Sequence, residues 1–380
     1  MHGGERERYH GLDLLRFIAA GLVVFFHFGY LSWGGPYAAE AGFGPMPRFP
    51  ELAQFASLGW VGVEVFFVIS GFVIAYSMGG AGPAQFFRSR ALRLLPALWI
   101  AAPMTAVALW MAGASPGDLA PLLARSLVLF PKGPWVDGVY WTLCLEVMFY
   151  GAVFLLILAR RAHWLEGFAT VMGLVSTAAC LAALAPGAPG EAVRWALEFW
   201  PLRLLELRNG VQFALGVMLF LLISDRASLR RWLLVALFAT GALAEIRISA
   251  GPEGASSAAA MSVWAACMGL FALSILPGAS VMIRRLGLEA AFARLGELTY
   301  PLYLSHQVIG WAFMSAVYAR FGSRWFALAA GVWFALALTA TILRLEPYVR
   351  RGLDGLLRRS LPGSIPAGVR TGGRAEPARR

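Results

Sequence analysis

Apolar runs long enough to cross about 30 Å of hydrocarbon as helices recur along most of the chain. They fall near residues 11–30, 57–78, 93–113, 140–160, 164–185, 204–224, 231–249, 256–276, 299–319 and 324–345. The pattern predicts an all-α polytopic integral membrane protein with about ten transmembrane helices. The fifth and seventh runs are the weakest, because Gly and Ala dilute them and Glu245 and Arg247 close the seventh. Composition agrees: 59% of the 380 residues are hydrophobic and only 14% charged, with a mean hydropathy of +0.67. Soluble domains carry roughly a quarter charged residues.

Charge then sets the expected orientation, because cytoplasmic loops collect Lys and Arg. Alternate connections are arginine-rich: Arg6 and Arg8; Arg88, Arg90 and Arg93; Arg160 and Arg161; Arg226, Arg230 and Arg231; Arg284, Arg285 and Arg294; and the basic tail. The intervening ones are longer yet poorer, with Arg48 alone in 31–56 and Arg125 and Lys132 in 114–139. Both termini are therefore expected to be cytoplasmic, in an inner or plasma membrane. A formal charge of +11 invites a nucleic-acid reading, but this distribution explains it through topology and anionic lipid, and no nucleic acid is expected. Ala39-Glu40-Ala41 resembles a signal-peptide cleavage site but lies too far beyond the first apolar run, so that run is expected to stay. Residues 1–349 read as one membrane-embedded domain, and 350–380 as an amphipathic turn followed by a disordered, basic cytoplasmic tail. Cys144, Cys180 and Cys267 all fall within apolar runs. That odd, buried set argues against disulfides and offers no metal-ligand spacing, so no metal is expected.

Ionisable residues inside the spans carry the chemical signal, since burying them in hydrocarbon costs about 2.5 kcal/mol or more. In "RFIAAGLVVFFH" ten residues separate Arg16 from His27, so the two are eleven positions apart and lie on one helix face about 16 Å apart. On the expected topology Arg16, Arg90 and Arg93 stand toward the cytoplasm. His27, Glu64 and Glu146 lie toward the outside, with Ser70 and His306 in inner to middle positions. Clustered guanidiniums suit a phosphorylated ligand. An imidazole beside a carboxylate suits proton abstraction from a hydroxyl. A long thin molecule bridges the two ends, and acyl coenzyme A has that shape.

Five blocks, in order, resemble the membrane-integral acyltransferase-3 family over about residues 10–347: "LDLLRFIAAGLVVFFHF", "GVEVFFVISGF", "RSRALRLLP", "WTLCLEVMFY" and "TYPLYLSH" with the later "RLEP". The family moves acyl groups, often acetyl, from cytoplasmic acyl coenzyme A to carbohydrates and other acceptors. The resemblance implies that Arg16 and His27 are its functional pair, that Arg90 and Arg93 are its arginine motif, and that His306 and Glu346 match its closing signatures. Glu64 stands where the family commonly has aspartate, and Thr142 where serine is usual.

The resulting expectation is an O-acyltransferase working at or across the membrane. Acyl coenzyme A, with acetyl the expected group, is the donor, and a carbohydrate, glycolipid or other hydroxyl-bearing molecule is the acceptor. His27 is the expected base with Glu146 orienting it, and Arg16, Arg90 and Arg93 hold the donor. Glu64, Ser70 and His306 are further candidates, although Ser70 beside Gly71 also reads as close helix packing and His306 equally as a packed histidine. A proton-coupled secondary transporter is the alternative, since it too needs intramembrane His, Arg and Glu. Outer-loop aromatics Trp33, Tyr37, Phe43, Phe49, Trp135 and Tyr140 suit sugar stacking or an interfacial belt.

Overall fold

A computed structural model describes residues 9–34, 42–78, 80, 82–224, 227–276 and 278–360. Arg6, Arg8, Tyr37, Ala39-Glu40-Ala41, Arg226 and the tail from 361 onward lie outside the described residues. Among those described there are helices and turns and no strand. The principal helices are α1 (His10–Phe26), α2 (Val61–Met78), α3 (Pro83–Met111), α4 (Pro116–Leu127), α5 (Tyr140–Leu158), α6 (Leu165–Ala183), α7 (Gly210–Ile223), α8 (Leu229–Ala250), α9 (Ser257–Ile275), α10 (Glu289–Ser305), α11 (Gln307–Phe321) and α12 (Arg324–Ser360).

Eight helical stretches among the described residues are long and apolar enough to cross a membrane, against ten apolar windows in the sequence. The other two windows take different forms for local reasons. Window 204–224 yields only α7, 14 residues long, because the preceding turn buries Glu206, Arg208 and Asn209. Arg208 there bonds Glu245 at 3.0 Å as well as Glu198 and Ser249, so the turn is held by charge rather than extended as helix. Window 299–319 is broken between α10 and α11 at His306. Pro301 supplies no backbone N–H, and the His306 ring takes up the Leu302 and Tyr303 carbonyls, each at 3.0 Å. A side chain that captures helix carbonyls in this way bends the helix.

Apolar composition on all sides predicts a buried helix, and α2 is that helix: 83% of its apolar window is inside the protein. Small residues let its neighbours close in. A Cβ on Gly62 would lie 2.3 Å from the Ala19 carbonyl oxygen of α1, and one on Gly71 would lie 2.1 Å from that of Phe213 in α7. The outer helices expose Trp110, Leu155, Val171, Leu233 and Trp333, an apolar surface that suits lipid. α1 and α10 pack side by side, with His10 3.8 Å from Glu289 at their starts. Arg88, near the start of α3, pairs at 2.5 Å with Asp354, near the end of α12. Tyr9 meets Tyr76, near the end of α2, at 6.0 Å, and α3 begins a few residues further on, so both described chain ends lie at one end of the bundle. α12 itself runs past residue 349 to Ser360.

Candidate active site

Two helix irregularities meet near the middle of the fold. α1 widens into a π-turn at His27–Leu31, a rare feature that marks functional positions more often than chance. The break at His306 faces it. His27 Nδ1 lies 2.8 Å from the Val23 carbonyl oxygen and 3.0 Å from His306 Nε2, and His306 Nδ1 lies 3.0 Å from two carbonyl oxygens. These partners determine the neutral tautomers. A carbonyl oxygen only accepts, so His306 carries its proton on Nδ1 and offers the Nε2 lone pair. That lone pair and the Val23 carbonyl receive the His27 Nδ1–H. His27 Nε2 is left unprotonated and without a partner among the described residues, the state a general base requires. Trp311 fixes the backbone beneath by donating from Nε1 to the His27 carbonyl at 3.0 Å.

His27 lines a chamber of about 740 Å³, together with Trp60, Trp141, Trp200, Arg203 and Glu253. Its wall draws on Leu31, Phe43, residues 134–141, residues 200–203, Glu253 and residues 303–311, so segments far apart in sequence converge here. Asp137 secures two of them. Its carboxylate, 1% exposed, accepts from the Val139 N–H at 3.1 Å and from the Val308 N–H at the start of α11 at 3.2 Å. Burial raises this carboxyl to about 7, outweighing both N–H bonds.

A narrower space of about 60 Å³ adjoins the chamber, and Val63 and Tyr303 line both. Arg16, Arg93, Ser70, Thr142 and Glu146 line the narrow part. Arg93 is 3.9 Å from Glu146, which also accepts from Ser70 Oγ at 2.7 Å and from the Tyr150 hydroxyl. Thr142 donates to the Val139 carbonyl at 2.9 Å and lies 2.8 Å from the Tyr303 hydroxyl. That contact stiffens the ring at the junction.

The structure thus places His27 in the wide cavity and Arg16, Arg93, Glu146 and Ser70 in the narrow one beside it, and changes several expectations about pairing. Glu146 makes no hydrogen bond to His27; its Oε1 is engaged by Ser70, Tyr150 and Arg93. His306 takes that place. Its level was misjudged because α10 begins at Glu289, ten residues before the apolar window, and so lifts His306 to the height of His27. Ser70 does more than pack: its hydroxyl holds Glu146, while Gly71 provides the close approach. Arg90, though three residues from Arg93, sits behind Tyr150, with its guanidinium carbon 5.5 Å from that ring and 5.6 Å from Phe86. It lines a separate apolar groove of about 270 Å³. Glu64 faces Asn209 at 3.2 Å, and Glu346 pairs with Arg350 at 3.7 Å on α12. No group of three or more His, Cys, Asp or Glu among the described residues could hold a metal ion. Of the aromatics noted in the outer loops, Phe43 and Trp135 line the chamber, Phe49 is buried against Trp325 and Tyr140 is fully buried.

Comparison with known proteins gives the chemistry a class. A family model described as an acyltransferase domain, of the acyltransferase-3 type, matches residues 9–344. The chain is 27% identical over 379 aligned positions to a Komagataeibacter xylinus protein provisionally named membrane-bound transacylase BcsY, covering 92% of this chain and 84% of that one. It is 33% identical over 119 positions to the exopolysaccharide production protein ExoZ of Rhizobium meliloti (strain 1021), covering 28% of this chain and 37% of that one. No solved structure matches the chain.

Proposed function

Because the chain belongs to the acyltransferase-3 family, and is thus a multi-pass membrane acyltransferase, we propose that it moves an acyl group, acetyl by preference, from cytoplasmic acyl coenzyme A to a carbohydrate hydroxyl. Family membership also decides against the transporter alternative. The observation that carries the proposal is the pair of adjoining cavities with Val63 and Tyr303 as common wall, an imidazole nitrogen with no partner among the described residues in the wide one and two arginines in the narrow one. The donor's phosphates sit at the arginine end, with Arg16 and Arg93 in direct contact and Arg90 contributing from behind Tyr150. Guanidinium recognises phosphate bidentately. The pantetheine arm runs up the passage past Tyr303, which presents the thioester to His27.

His27 Nε2 removes the proton of the acceptor hydroxyl as its oxygen attacks the thioester carbon. The imidazolium formed is held by the Val23 carbonyl and by His306 Nε2, as the carboxylate does in a Ser-His-Asp triad. Collapse of the tetrahedral intermediate breaks the carbon–sulfur bond. The departing thiolate takes the proton from His27, leaving an ester, free coenzyme A and the neutral histidine pair. Glu146 opposes the charge of Arg93 and Asp13 that of Arg16, so that the passage does not hold two unopposed cations. On this reading the chamber faces outward and both termini face the cytoplasm.

The test uses purified protein in nanodiscs with radiolabelled acetyl coenzyme A and an oligosaccharide acceptor. Label is expected to move to the sugar in the wild type and not in His27→Ala, while coenzyme A binding measured by calorimetry is kept. Transfer by folded His27→Ala within a few-fold of wild type would overturn the assignment of the base. Outside labelling of Ser89→Cys by a membrane-impermeant reagent would overturn the orientation.

A further inference from the structure

We infer that the chamber beside His27 is a subsite for a neutral oligosaccharide, held by tryptophan faces and presenting one hydroxyl to the base. The inference rests on the acyl-transfer reading for the role of His27, but the chamber's own composition identifies the occupant. Five indoles line it: Trp60, Trp135, Trp141, Trp200 and Trp311. Such density is out of proportion to any need of packing, because indole is large and its N–H needs a partner when buried. The C–H faces of a pyranose are apolar while its hydroxyls point outward around the ring, so flat aromatic walls with a few polar groups between them match it.

The rim is built rather than accidental. Trp135 and Trp200 meet edge to face at 5.8 Å, and they come from two separate connections. Each is fixed by its own N–H, Trp135 to the Phe130 carbonyl at 2.9 Å and Trp200 to the Pro131 carbonyl at 2.5 Å. With both N–H groups engaged, the ring planes are set and what remains for a ligand is the π-face. Deeper in, the Arg203 guanidinium lies over the Trp141 ring at 4.2 Å, which holds both groups in place. Arg203 also pairs with Glu198 at 3.7 Å.

Charge selects a neutral ligand. Besides the Tyr303 phenol, the ionisable groups of the wall are His27, Arg203 and Glu253. Arg203 is opposed by Glu198, which Arg208 also holds, and its buried Nε has no hydrogen-bond partner among the described residues, so the wall offers one N–H donor to a sugar oxygen rather than the cluster of cations that suits a uronate, sulfate or phosphate. Burial raises the Glu253 carboxyl above its ordinary range, against the opposing pull of Arg208 and Arg203, which favours a group that donates to a sugar hydroxyl as well as accepting from one. The contrast with the arginine-lined passage is direct: there two guanidiniums line a space of about 60 Å³. Size points the same way. Sites for drug-sized ligands run about 300–1,000 Å³, and about 740 Å³ exceeds the need of one hexose and accommodates a chain of two or three.

The test is a titration of nanodisc protein, without donor, with neutral di- and trisaccharides of glucose, galactose and mannose and with oligogalacturonates, read by tryptophan fluorescence. A neutral oligosaccharide is expected to bind. Trp200→Ala should weaken that binding by about tenfold, the order a lost aromatic stack carries, while Trp200→Phe retains most of it. In turnover, Trp200→Ala should raise the acceptor KM by a similar factor and leave the donor KM and kcat within twofold. Preferential binding of oligogalacturonates would overturn the neutral assignment. An acceptor KM insensitive to Trp200→Ala in an active enzyme would overturn the subsite while leaving acyl transfer standing. Trp200-dependent sugar binding in a protein that transfers no acyl group would uphold the subsite and remove the acyl-transfer reading.

Discussion

The two compartments on either side of Tyr303 are opposites. The passage is narrow, and its two guanidiniums each have a carboxylate nearby: Arg16 lies 4.0 Å from Asp13, and Arg93 3.9 Å from Glu146, which a serine and a tyrosine also grip. The chamber is more than ten times larger, walled by indoles, and its base is held by a second imidazole and a carbonyl rather than by any carboxylate. On the proposed reading, the difference teaches how one bilayer-embedded site would handle two unlike substrates. A charged donor would be met by arginines with carboxylates beside them, which lowers the cost of burying them before the ligand arrives. An uncharged acceptor would be met by apolar faces, with one arginine and one carboxyl in the wall. The tautomers of the histidine pair are set by backbone carbonyls, so the proposed base would need no ionised neighbour.

Perturbing each side should give effects that do not mix. The largest is expected at the base: His27→Ala should lower kcat by at least about 10²-fold, within the range general bases contribute, with donor affinity unchanged. Next is its partner. His306→Ala should cost roughly a hundredfold in kcat with both KM values retained, because the wrong His27 tautomer becomes accessible. His306→Gln, whose amide oxygen can accept from Nδ1–H, should recover part of the loss. Equal losses in His306→Ala and His306→Gln, accompanied by a fall in thermal stability, would reduce His306 to a packing role. On the passage side, Arg93→Lys should raise the donor KM by about tenfold, since an ammonium cannot replace a bidentate fork. Glu146→Gln should act on the same constant, and a change in acceptor KM instead would erase the division between compartments.

The smallest expected effect is on stability and concerns the clasp between them. In the fold Asp137 titrates at about 7, above the ordinary 3.8, chiefly through burial. The folded protein therefore binds more protons than the unfolded chain across that interval. Stability is full below about 3.8 and declines as pH rises toward 7. The melting temperature in nanodiscs should fall by several degrees, about 5 °C, from pH 5 to pH 7.5 on this account, and Asp137→Asn should flatten the slope. An unchanged slope in Asp137→Asn would assign the pH dependence to other groups.

The sequence by itself determined the class of protein and the positions of most helices, and it singled out the two arginines that line the narrow passage. Long apolar runs have no other stable disposition in a bilayer than helix, and an ion inside such a run stands out against its neighbours. Arg16, His27, Arg93 and Glu146 were legible for that reason, and their spacing along α1 placed the first two on one face. Contacts that depend on how helices stack were not legible. His306 and His27 are 279 positions apart and meet only because α10 starts early, bends at Pro301 and His306, and lies along α1. The shortening of α7 and the retreat of Arg90 behind Tyr150 likewise depend on neighbours outside their own segments. The tryptophan chamber was hidden for a different reason: in a membrane protein an isolated Trp is the commonest interfacial residue, and nothing local separates a lipid-facing indole from one turned inward. Tertiary structure alone decided which aromatics face each other, because only packing of distant segments determines which side of a ring meets lipid and which meets a cavity.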